Sequence, residues 1–373
     1  MAGRLFISTG ELSADIHAAR LIEHLLAKDP NLKIFANGGD NMQKAGAKLL
    51  HHIDNLSFMG FAEVIKHLPF IKKIFNETLK FIDENKIDLV VLVDYPGFNL
   101  RLAKALKKRK LKVVYYICPQ IWAWHQSRVK QVRRNVDKVI CILPFEPEWY
   151  TKHGVDAVYG GNPLMDKEIF KGETPITGLA PEDRFIGLFP GSRKQELENH
   201  LDVMIASAIK IRKKHPSLKF VIGMAPGQDF REYRAKYRYD WLKWVRGQND
   251  AIIQQAEYLI MVSGTASLEA ALLGTPMVII YKTSFFTYYL AKLVAKIDFI
   301  GLANLIAGRE GIHELIQKEV TPENIYQEVQ AYLSSPTEKE RFRNFYKEVQ
   351  EKIGPAGASG KAAGIILSEL QTL

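Results

Sequence analysis

The sequence predicts an α/β protein built from two doubly wound, Rossmann-like domains that face each other across a cleft. Its 373 residues are too many for one ordinary core, because a domain takes about 150 residues. Strand-like and helix-like segments alternate in both halves of the chain, which is typical of parallel sheets covered by helices. The alternation lapses over 163–183 among prolines and glycines, which indicates an interdomain linker.

The first half begins with a predicted strand at 4–9, followed by a helix at 14–28 whose apolar side chains recur at helical spacing. Residues 89–93 are an unbroken apolar run, as expected of a strand buried on both faces of a parallel sheet. The remaining elements predicted in this half are one helix and two strands, at 100–108, 112–117 and 138–143.

The second half repeats the pattern after the linker. Its strands are predicted at 184–189, 219–223, 258–262 and 276–281. Its helices are predicted at 195–214, at 266–273 and, as polar helical sequence broken at Gly354-Pro355, from 322 onward. We therefore expect domains at 1–165 and 166–345, and a helical segment at 346–373 that could pack back on the first domain.

Composition excludes several classes of protein. Hydrophobic residues make up 47% and charged residues 25%, which excludes a disordered, collagen-like or simple repetitive chain. The net charge of +10 favours an anionic partner: nucleic acid, a phosphorylated substrate or an acidic membrane surface. Two cysteines, Cys118 and Cys141, cannot form a disulfide framework and so favour a reducing cytoplasm. No apolar run is long and charge-free enough to span a bilayer.

The loops that follow the strands are the candidate sites, because open parallel sheets bind ligands at the carboxyl ends of their strands. The loop 10–15 opens a helix, whose amides could receive an anion or a sugar hydroxyl; Ser13 could equally be an ordinary helix cap. Asp94 follows the most apolar strand. It could accept a proton from a substrate hydroxyl as a general base, or simply cap the turn at Pro96-Gly97.

Two loops of the second half have the character of phosphate sites. Arg193 follows a tight Pro190-Gly191-Ser192 turn near the start of a helix, where a guanidinium could pair with a phosphate or with a nearby glutamate. The loop 263–269 offers amides and hydroxyls to a diphosphate, and Glu269 could accept from ribose hydroxyls. The alternative for this loop is a capping box.

Familiar cofactor and metal motifs are missing from the sequence. There is no Gly-x-Gly-x-x-Gly fingerprint and no Gly-Lys-Ser/Thr phosphate loop, which argues against a dinucleotide or Walker-type site. None of the 10 histidines lies in a His-Glu-x-x-His motif, and the cysteines do not form Cys-x-x-Cys. We therefore expect neither a metal nor a cofactor.

Two stretches combine apolar and basic residues. Residues 61–82 include Phe70 and Phe75 among lysines, which fits an interfacial membrane helix and also, more commonly, a helix that covers the sheet. Residues 231–246 interleave aromatic and cationic side chains. That pattern fits an anionic bilayer, single-stranded nucleic acid or a solvated helix with snorkelling side chains.

Taken together, these loops resemble those of the lipid-A-disaccharide synthase family, bacterial glycosyltransferases of two-domain GT-B architecture. The similarity runs nearly end to end, and the order and spacing of the motifs make it specific. The motifs lie at 10–15, 94–99, 119–124, 143–146, 190–193, 263–269 and 304–310. The chain departs from the family pattern at Ala14, where a glycine is usual, and at Asn162, where a histidine is usual.

The resemblance implies an inverting transfer from UDP-2,3-diacylglucosamine to 2,3-diacylglucosamine 1-phosphate (lipid X), which gives lipid A disaccharide 1-phosphate and UDP without a metal. It implies that Asp94, as general base, and Glu11 are catalytic. The implied substrate-binding residues are Ser13, Asp15, Asn99, Arg193, Ser263, Gly264, Thr265, Glu269, Asn304 and Arg309. Among these, Glu269 would hold the ribose. Phe70 and Phe75 would face acyl chains or the membrane.

The expected partners are the two acylated substrates and the inner face of a Gram-negative-type inner membrane, with no nucleic acid. The sequence leaves open whether the chain forms a homodimer. Two alternative functions stay open at this point. One is a GT-B enzyme that uses UDP-GlcNAc, either a transferase or an epimerase; the other is a basic nucleic-acid-binding protein that uses residues 231–246.

Overall fold

The computed structural model describes residues 3–55, 68–123, 126–167, 174–225, 229–284, 288 and 297–372. The chain divides into two compact units. The first unit consists of Met1–Asp166 together with Pro355–Leu373, and the second unit consists of Lys167–Gly354.

The first unit is built on a parallel sheet. Its described residues contain seven strands, β1 to β7, at Arg4–Ser8, Lys33–Gly38, Lys48–His52, Leu89–Val93, Lys112–Tyr116, Lys138–Cys141 and Ala157–Tyr159. Their spatial order is β3-β2-β1-β4-β5-β6-β7, so the direction of winding reverses between β1 and β4. Such a reversal marks the ligand crevice of a doubly wound sheet.

The helices of this unit cover both faces of the sheet. Helices α1 to α6 lie at Leu12–Lys28, Asp40–Lys44, Leu68–Glu84, Pro96–Lys107, Val129–Asn135 and Glu146–Lys152. Strand β4 is completely buried. Val90 and Leu92 belong to one apolar cluster and Leu89, Val91 and Val93 to the other, because successive side chains of a strand point to opposite faces. The prediction of a strand buried on both faces is confirmed.

The second unit has the same plan. Where it is described, six strands, β8 to β13, lie at Phe185–Phe189, Lys219–Met224, Leu242–Arg246, Tyr258–Val262, Met277–Tyr281 and Glu314–Ile316. They pair in parallel in the order β10-β9-β8-β11-β12-β13. Helices α7 to α13 lie at Lys194–Lys214, Arg231–Lys236, Asn249–Gln255, Thr265–Leu273, Leu302–Ala307, Pro322–Ser334 and Pro336–Ile353. The predicted α/β fold with two parallel sheets is therefore confirmed.

The aromatic and basic stretch 231–246 is not one element. It divides into the short helix α8 and the strand β10, which pairs with β9. Its side chains are used within the unit: Lys236 and the Tyr237 hydroxyl bind Asp202, and the rings of Tyr239 and Trp241 stack at 4.7 Å. A continuous helical surface for a bilayer or for nucleic acid is therefore not formed.

The last helix, α14 (Ala358–Gln371), belongs to the first unit. Its side chains Ala362, Ala363 and Ile366 are fully buried in the apolar cluster that also holds Leu21 of α1. The second unit extends to Gly354, beyond the expected boundary at 345, because α13 stays packed within that unit.

Within the first unit, Asp166 holds the start of α14 against the end of the segment Met1–Asp166. Its carboxylate accepts hydrogen bonds from the backbone N–H groups of Gly357 at 2.6 Å, Ala358 at 3.2 Å and Ser359 at 2.9 Å. Gly161 has a φ of 92° and lies against Ala358, where a Cβ would come within 3.2 Å of the Ala358 backbone. The end of Met1–Asp166 and the start of Pro355–Leu373 therefore pack closely against each other.

We predict that Asp166→Ala lowers the free energy of unfolding by about 1 kcal/mol at pH 7, as for other lost helix caps. Burial alone would raise the pKa of Asp166, but the N–H donors of Gly357, Ser359 and Ala358 outweigh it and lower that pKa. The stabilisation is therefore fully present above the ordinary aspartate pKa of about 3.9 and decreases as the pH falls from there through the lowered pKa of the folded state. Urea unfolding at pH 7 and pH 3.5 measures this, with Asp54→Asn as an exposed control. An unchanged stability at pH 7 would contradict the prediction.

Candidate functional site

The carboxyl ends of β1 and β4 lie side by side at the centre of the first sheet. Ser8 at the end of β1 is in register with Leu92 of β4, so the loops that follow leave the sheet together. The structure thus brings two of the predicted loops, 10–15 and 94–99, to the point where the winding reverses. Ligands of doubly wound sheets bind at this position.

The Asp94 backbone is held in an unusual conformation. Asp94 and Tyr95 have φ angles of 47° and 51°, and residues other than glycine enter this region at a cost of roughly 1–3 kcal/mol each. The Asp94 carbonyl accepts 2.7 Å hydrogen bonds from the Asn99 amide and from the Tyr115 hydroxyl. Asn99 is fully buried and its Oδ1 accepts from Ser8 Oγ at 2.8 Å. Asn99, expected to bind substrate, thus positions the residue that carries the carboxyl group.

Gly10 allows the Tyr95 ring to lie against the first loop. A Cβ at position 10 would sit 2.2 Å from two carbons of the ring, far inside van der Waals contact. The ring also stacks on Phe98, with centroids 5.9 Å apart. Glycine at position 10 is therefore a steric requirement of the turn that carries Asp94.

Two carboxyl groups meet in this turn. Burial is the main cause that raises the pKa of Asp94 to about 6, and the Glu11 carboxylate adds repulsion and a hydrogen bond. Glu11 itself accepts a 2.8 Å hydrogen bond from Ser13 Oγ. A group with a pKa near the working pH is ionised in neutral solution and still takes up a proton readily. This pair can therefore accept a proton from an alcohol.

Asp15 has a structural role. Its side chain is fully buried, and its carboxylate accepts hydrogen bonds from the backbone N–H groups of Gly39 at 2.6 Å, Asn41 at 3.1 Å and Met42 at 3.3 Å. It therefore ties the first turn of α1 to the start of α2, and its oxygens are not presented to a ligand. The neighbouring Ala14 is buried in the apolar core, so its extra methyl group packs inwards.

In the second unit, a cavity of about 450 Å³ lies at the carboxyl ends of β8, β9 and β11. Its lining includes Arg193, Gly264 and Thr265, so the two predicted phosphate loops lie in one place. The Arg193 side chain is 79% exposed and lies 3.9 Å from Glu196, which leaves it free to turn towards a ligand. The Ser263 hydroxyl also lines the cavity and donates to the Ile300 carbonyl at 2.7 Å.

Glu269 lies one turn into α10 and is almost completely buried, with 7% of its side chain exposed. Lys167 Nζ contacts Glu269 Oε1 at 2.5 Å and lies 3.8 Å from Asp250. Burial raises the pKa of Glu269, and Lys167 partly opposes that shift. No local sequence pattern points to Lys167, because its partner Glu269 is 102 residues away.

Asn304 and Arg309 do not line this cavity. Asn304 is fully buried: its amide donates to the Ile312 carbonyl and to Glu314, and its Oδ1 accepts from the N–H groups of Gly311 and Ile312. Arg309 pairs with Glu348 at 2.6 Å. Asn304 therefore holds the turn after α11, and its amide has no group left for a diphosphate.

Asn249 is a cavity residue that the sequence analysis missed. It begins α9 and lines the cavity, and its Oδ1 is buried without a hydrogen-bond partner among the described residues. Gly223 leaves room for it, since a Cβ there would lie 2.9 Å from that oxygen. A buried acceptor without a donor is costly, so a ligand N–H or a water would satisfy it.

The remaining predicted loops support the first unit. Glu146 is buried and accepts from Trp122 Nε1 at 2.9 Å and from the backbone N–H of Leu143 at 3.0 Å; burial raises the pKa of Glu146 to about 7. Trp122 is therefore part of the core, whereas Trp124 lies outside the described residues. The amide of Asn162 donates to the Ile142 carbonyl at 3.1 Å, so this residue bonds the backbone where the family usually has histidine.

Phe70 and Phe75 lie on α3. Phe70 is 39% exposed, and Phe75 packs edge-on against Phe98 with centroids 5.6 Å apart. The preceding residues of the predicted amphipathic stretch, 61–67, lie outside the described part of the chain. In the segments that are described, no helix is long and apolar enough to cross a membrane, and no group of three or more His, Cys, Asp or Glu side chains could hold a metal ion.

Comparison with known proteins gives two kinds of similarity. Residues 5–362 match the family model of lipid-A-disaccharide synthetase. The lipid-A-disaccharide synthase of Geobacter metallireducens is 37% identical over 98% of this chain and 97% of its own length, and that of Myxococcus xanthus is 35% identical over the same shares.

Among solved structures, the UDP-GlcNAc 2-epimerase of Neisseria meningitidis bound to UDP-GlcNAc has a TM-score of 0.68 at 13% identity, with all of both chains covered. The glycotransferase of kitacinnamycin has a TM-score of 0.66 at 14% identity, with 99% of this chain and all of its own covered. At such low identity these structures show a shared fold.

We predict that Asp94→Asn stabilises the protein increasingly as the pH rises. A carboxyl group whose pKa is raised by folding contributes stability below its ordinary pKa and loses that contribution as the pH rises through about 6. The variant should therefore match the wild type near pH 4 and exceed it at pH 8, by at most about 3 kcal/mol. Thermal unfolding across this range measures the difference, with Asp54→Asn as control. A difference in stability that does not change with pH would show that folding does not raise the pKa of Asp94.

Proposed function

The chain belongs to the lipid-A-disaccharide synthetase family and is a glycosyltransferase of lipid A biosynthesis, and from this premise we propose its substrates and mechanism. The donor is UDP-2,3-diacylglucosamine and the acceptor is lipid X. The 6-hydroxyl of the acceptor attacks the anomeric carbon of the donor, the bond to UDP breaks, and the configuration inverts. The products are lipid A disaccharide 1-phosphate and UDP.

The observation that carries this mechanism is the partly buried Asp94 carboxyl group beside Glu11. Attack by an alcohol requires removal of its proton as the new bond forms, and a positioned base speeds such a step by about 10²- to 10⁴-fold. Asp94 takes up that proton. Glu11 keeps the affinity of Asp94 for a proton high, and Ser13 holds Glu11 in place. In this mechanism Asn99 and Tyr115 are positioning residues.

The donor occupies the cavity of the second unit. The N-terminus of α10 and the side chain of Arg193 neutralise the departing diphosphate, since unpaired N–H groups and guanidinium groups both bind phosphate oxygens. Glu269 accepts from the ribose hydroxyls while Lys167 balances its charge. The fold shared with an epimerase that was solved with UDP-GlcNAc supports a UDP-sugar at this site.

Both substrates carry acyl chains, so the enzyme works at a membrane surface. We place it on the cytoplasmic face of the inner membrane, with α3 towards the lipid. Leu68 and Phe70 are 44% and 39% exposed and lie close to Lys72 and Lys73 on the same helix. Apolar side chains beside lysines suit the boundary of an anionic bilayer.

The alternative of a UDP-GlcNAc epimerase or another GT-B transferase has less support. The epimerase solved with UDP-GlcNAc is 13% identical to this chain, whereas the lipid-A-disaccharide synthases named above are 35% and 37% identical over almost the whole length. Product analysis by mass spectrometry, with acylated and non-acylated UDP-glucosamine donors, distinguishes the two functions directly.

We predict that Asp94→Asn lowers kcat by two orders of magnitude or more and leaves the Kd for UDP unchanged. The amide keeps the shape of the side chain but cannot take up the proton. Disaccharide formation and UDP binding measure the two effects, and Asp54→Asn, an exposed aspartate of the same unit, is the matched control. Near-normal turnover in the Asp94 variant would remove Asp94 from the role of base.

A second prediction concerns the membrane surface. Phe70→Glu should weaken binding to anionic liposomes severalfold, because it places a charge on the face proposed to contact lipid. Ile16→Glu on α1 is the matched control, since both side chains are 39% exposed. Co-sedimentation with liposomes measures binding, and unfolding temperature shows that each variant is folded. Unaltered binding by a folded Phe70 variant would reject this surface.

A further inference from the structure

Two cavities of the first unit meet on helix α4. The larger, of about 800 Å³, lies between α3 and α4 and is lined mainly by apolar side chains such as Ile71, Phe75 and Phe98. The second, of about 500 Å³, lies between α4 and α5. Gly97 and Arg101 line both cavities. A ligand with an apolar part and a polar part could therefore occupy the two together.

The second cavity carries a strong positive charge. Its lining contains four cationic side chains and no acidic one, and we call these four the phosphate cluster: Arg101, Lys104, Arg128 and Arg134. All four are exposed, and within the segments described none of them forms an ion pair. Two other cations near this helix are compensated, since Lys107 pairs with Asp137 at 2.5 Å and Arg109 with Asp83 at 3.0 Å.

Four like charges without counter-charges oppose folding by mutual repulsion, so their presence around one cavity points to an anionic ligand. Arginine is the side chain best suited to phosphate, because its planar fork makes paired hydrogen bonds to two oxygens. Carboxylates bind arginine as well. A ligand that places its anionic group on this cluster and an apolar chain in the neighbouring cavity is an anionic amphiphile.

We propose that the two cavities bind the acceptor, with an acyl chain in the apolar cavity and its anomeric phosphate on the phosphate cluster. The inference rests on the proposed function and adds a binding site for the phosphate. The apolar cavity is lined by Tyr95, the residue after Asp94, so a sugar joined to both parts comes next to the carboxyl pair. The volume of the apolar cavity, about 800 Å³, lies within the range of about 300–1,000 Å³ that is usual for ligand sites.

The test measures binding of the acceptor without donor, so that no turnover is required. The full chain is titrated with lipid X in detergent micelles, and in parallel with its dephosphorylated form, 2,3-diacylglucosamine. The variant is the double substitution Arg101→Gln/Arg134→Gln. The control is Arg133→Gln, since Arg133 is exposed on the same helix, α5, and lines neither cavity.

We expect the double variant to bind lipid X about tenfold more weakly or worse, and to bind the dephosphorylated form as the wild type does. The control should bind both as the wild type does. Equal weakening for both ligands, or for neither, would overturn the proposal. The proposal would also be overturned if the double variant bound anionic phospholipid vesicles more weakly but bound lipid X as the wild type does. The cluster would then be a membrane contact. Wild-type protein that binds lipid X but forms no disaccharide would count against the proposed function and leave the phosphate site standing.

Discussion

The strained turn at Asp94 is the constraint on which the first unit's site depends. A partly buried carboxyl group next to another is an unfavourable arrangement, and two left-handed residues in succession add to its cost. The turn persists because Asn99 and Tyr115 both donate to one carbonyl group and because Gly10 leaves space for an aromatic ring. The turn thus lowers the stability of the fold locally, and it holds the Asp94 carboxyl group in a fixed direction.

In the proposed mechanism, the two units divide the chemistry between them. The first unit holds carboxylates and apolar surface, which suit the deprotonation of an acylated alcohol. The second unit holds a helix terminus and an exposed arginine around one cavity, which suit a diphosphate, and a buried glutamate one turn further into the same helix. Each set stands at the carboxyl ends of parallel strands, so the same sheet geometry serves two different tasks.

The sequence alone predicted the central strands of both sheets, because an unbroken apolar strand such as 89–93 is a local signal. It missed the outer strands β2, β3, β7, β10 and β13, which lie at or next to the sheet edges. It also predicted that Glu11 and Asp94 would lie at strand ends. It could not separate these from Asp15, Asn99 and Asn304, since a polar residue in a loop looks the same whether it binds backbone or ligand. Lys167 and Asn249 were beyond its reach because their surroundings come from distant parts of the chain. The sequence left the structure of residues 231–246 open, because a turn within them divides two short elements.

The return of the last helix to the first unit has a consequence for synthesis on the ribosome. Helix α1 and its neighbours are made early, yet the apolar face that Ala362, Ala363 and Ile366 cover stays bare until the final residues emerge. The second unit is continuous in sequence, whereas the first unit can complete its packing only after residues 355–373 have been made. A chain that ends before α14 would therefore expose this apolar face to solvent, and quality-control proteases could distinguish it from a chain that includes α14.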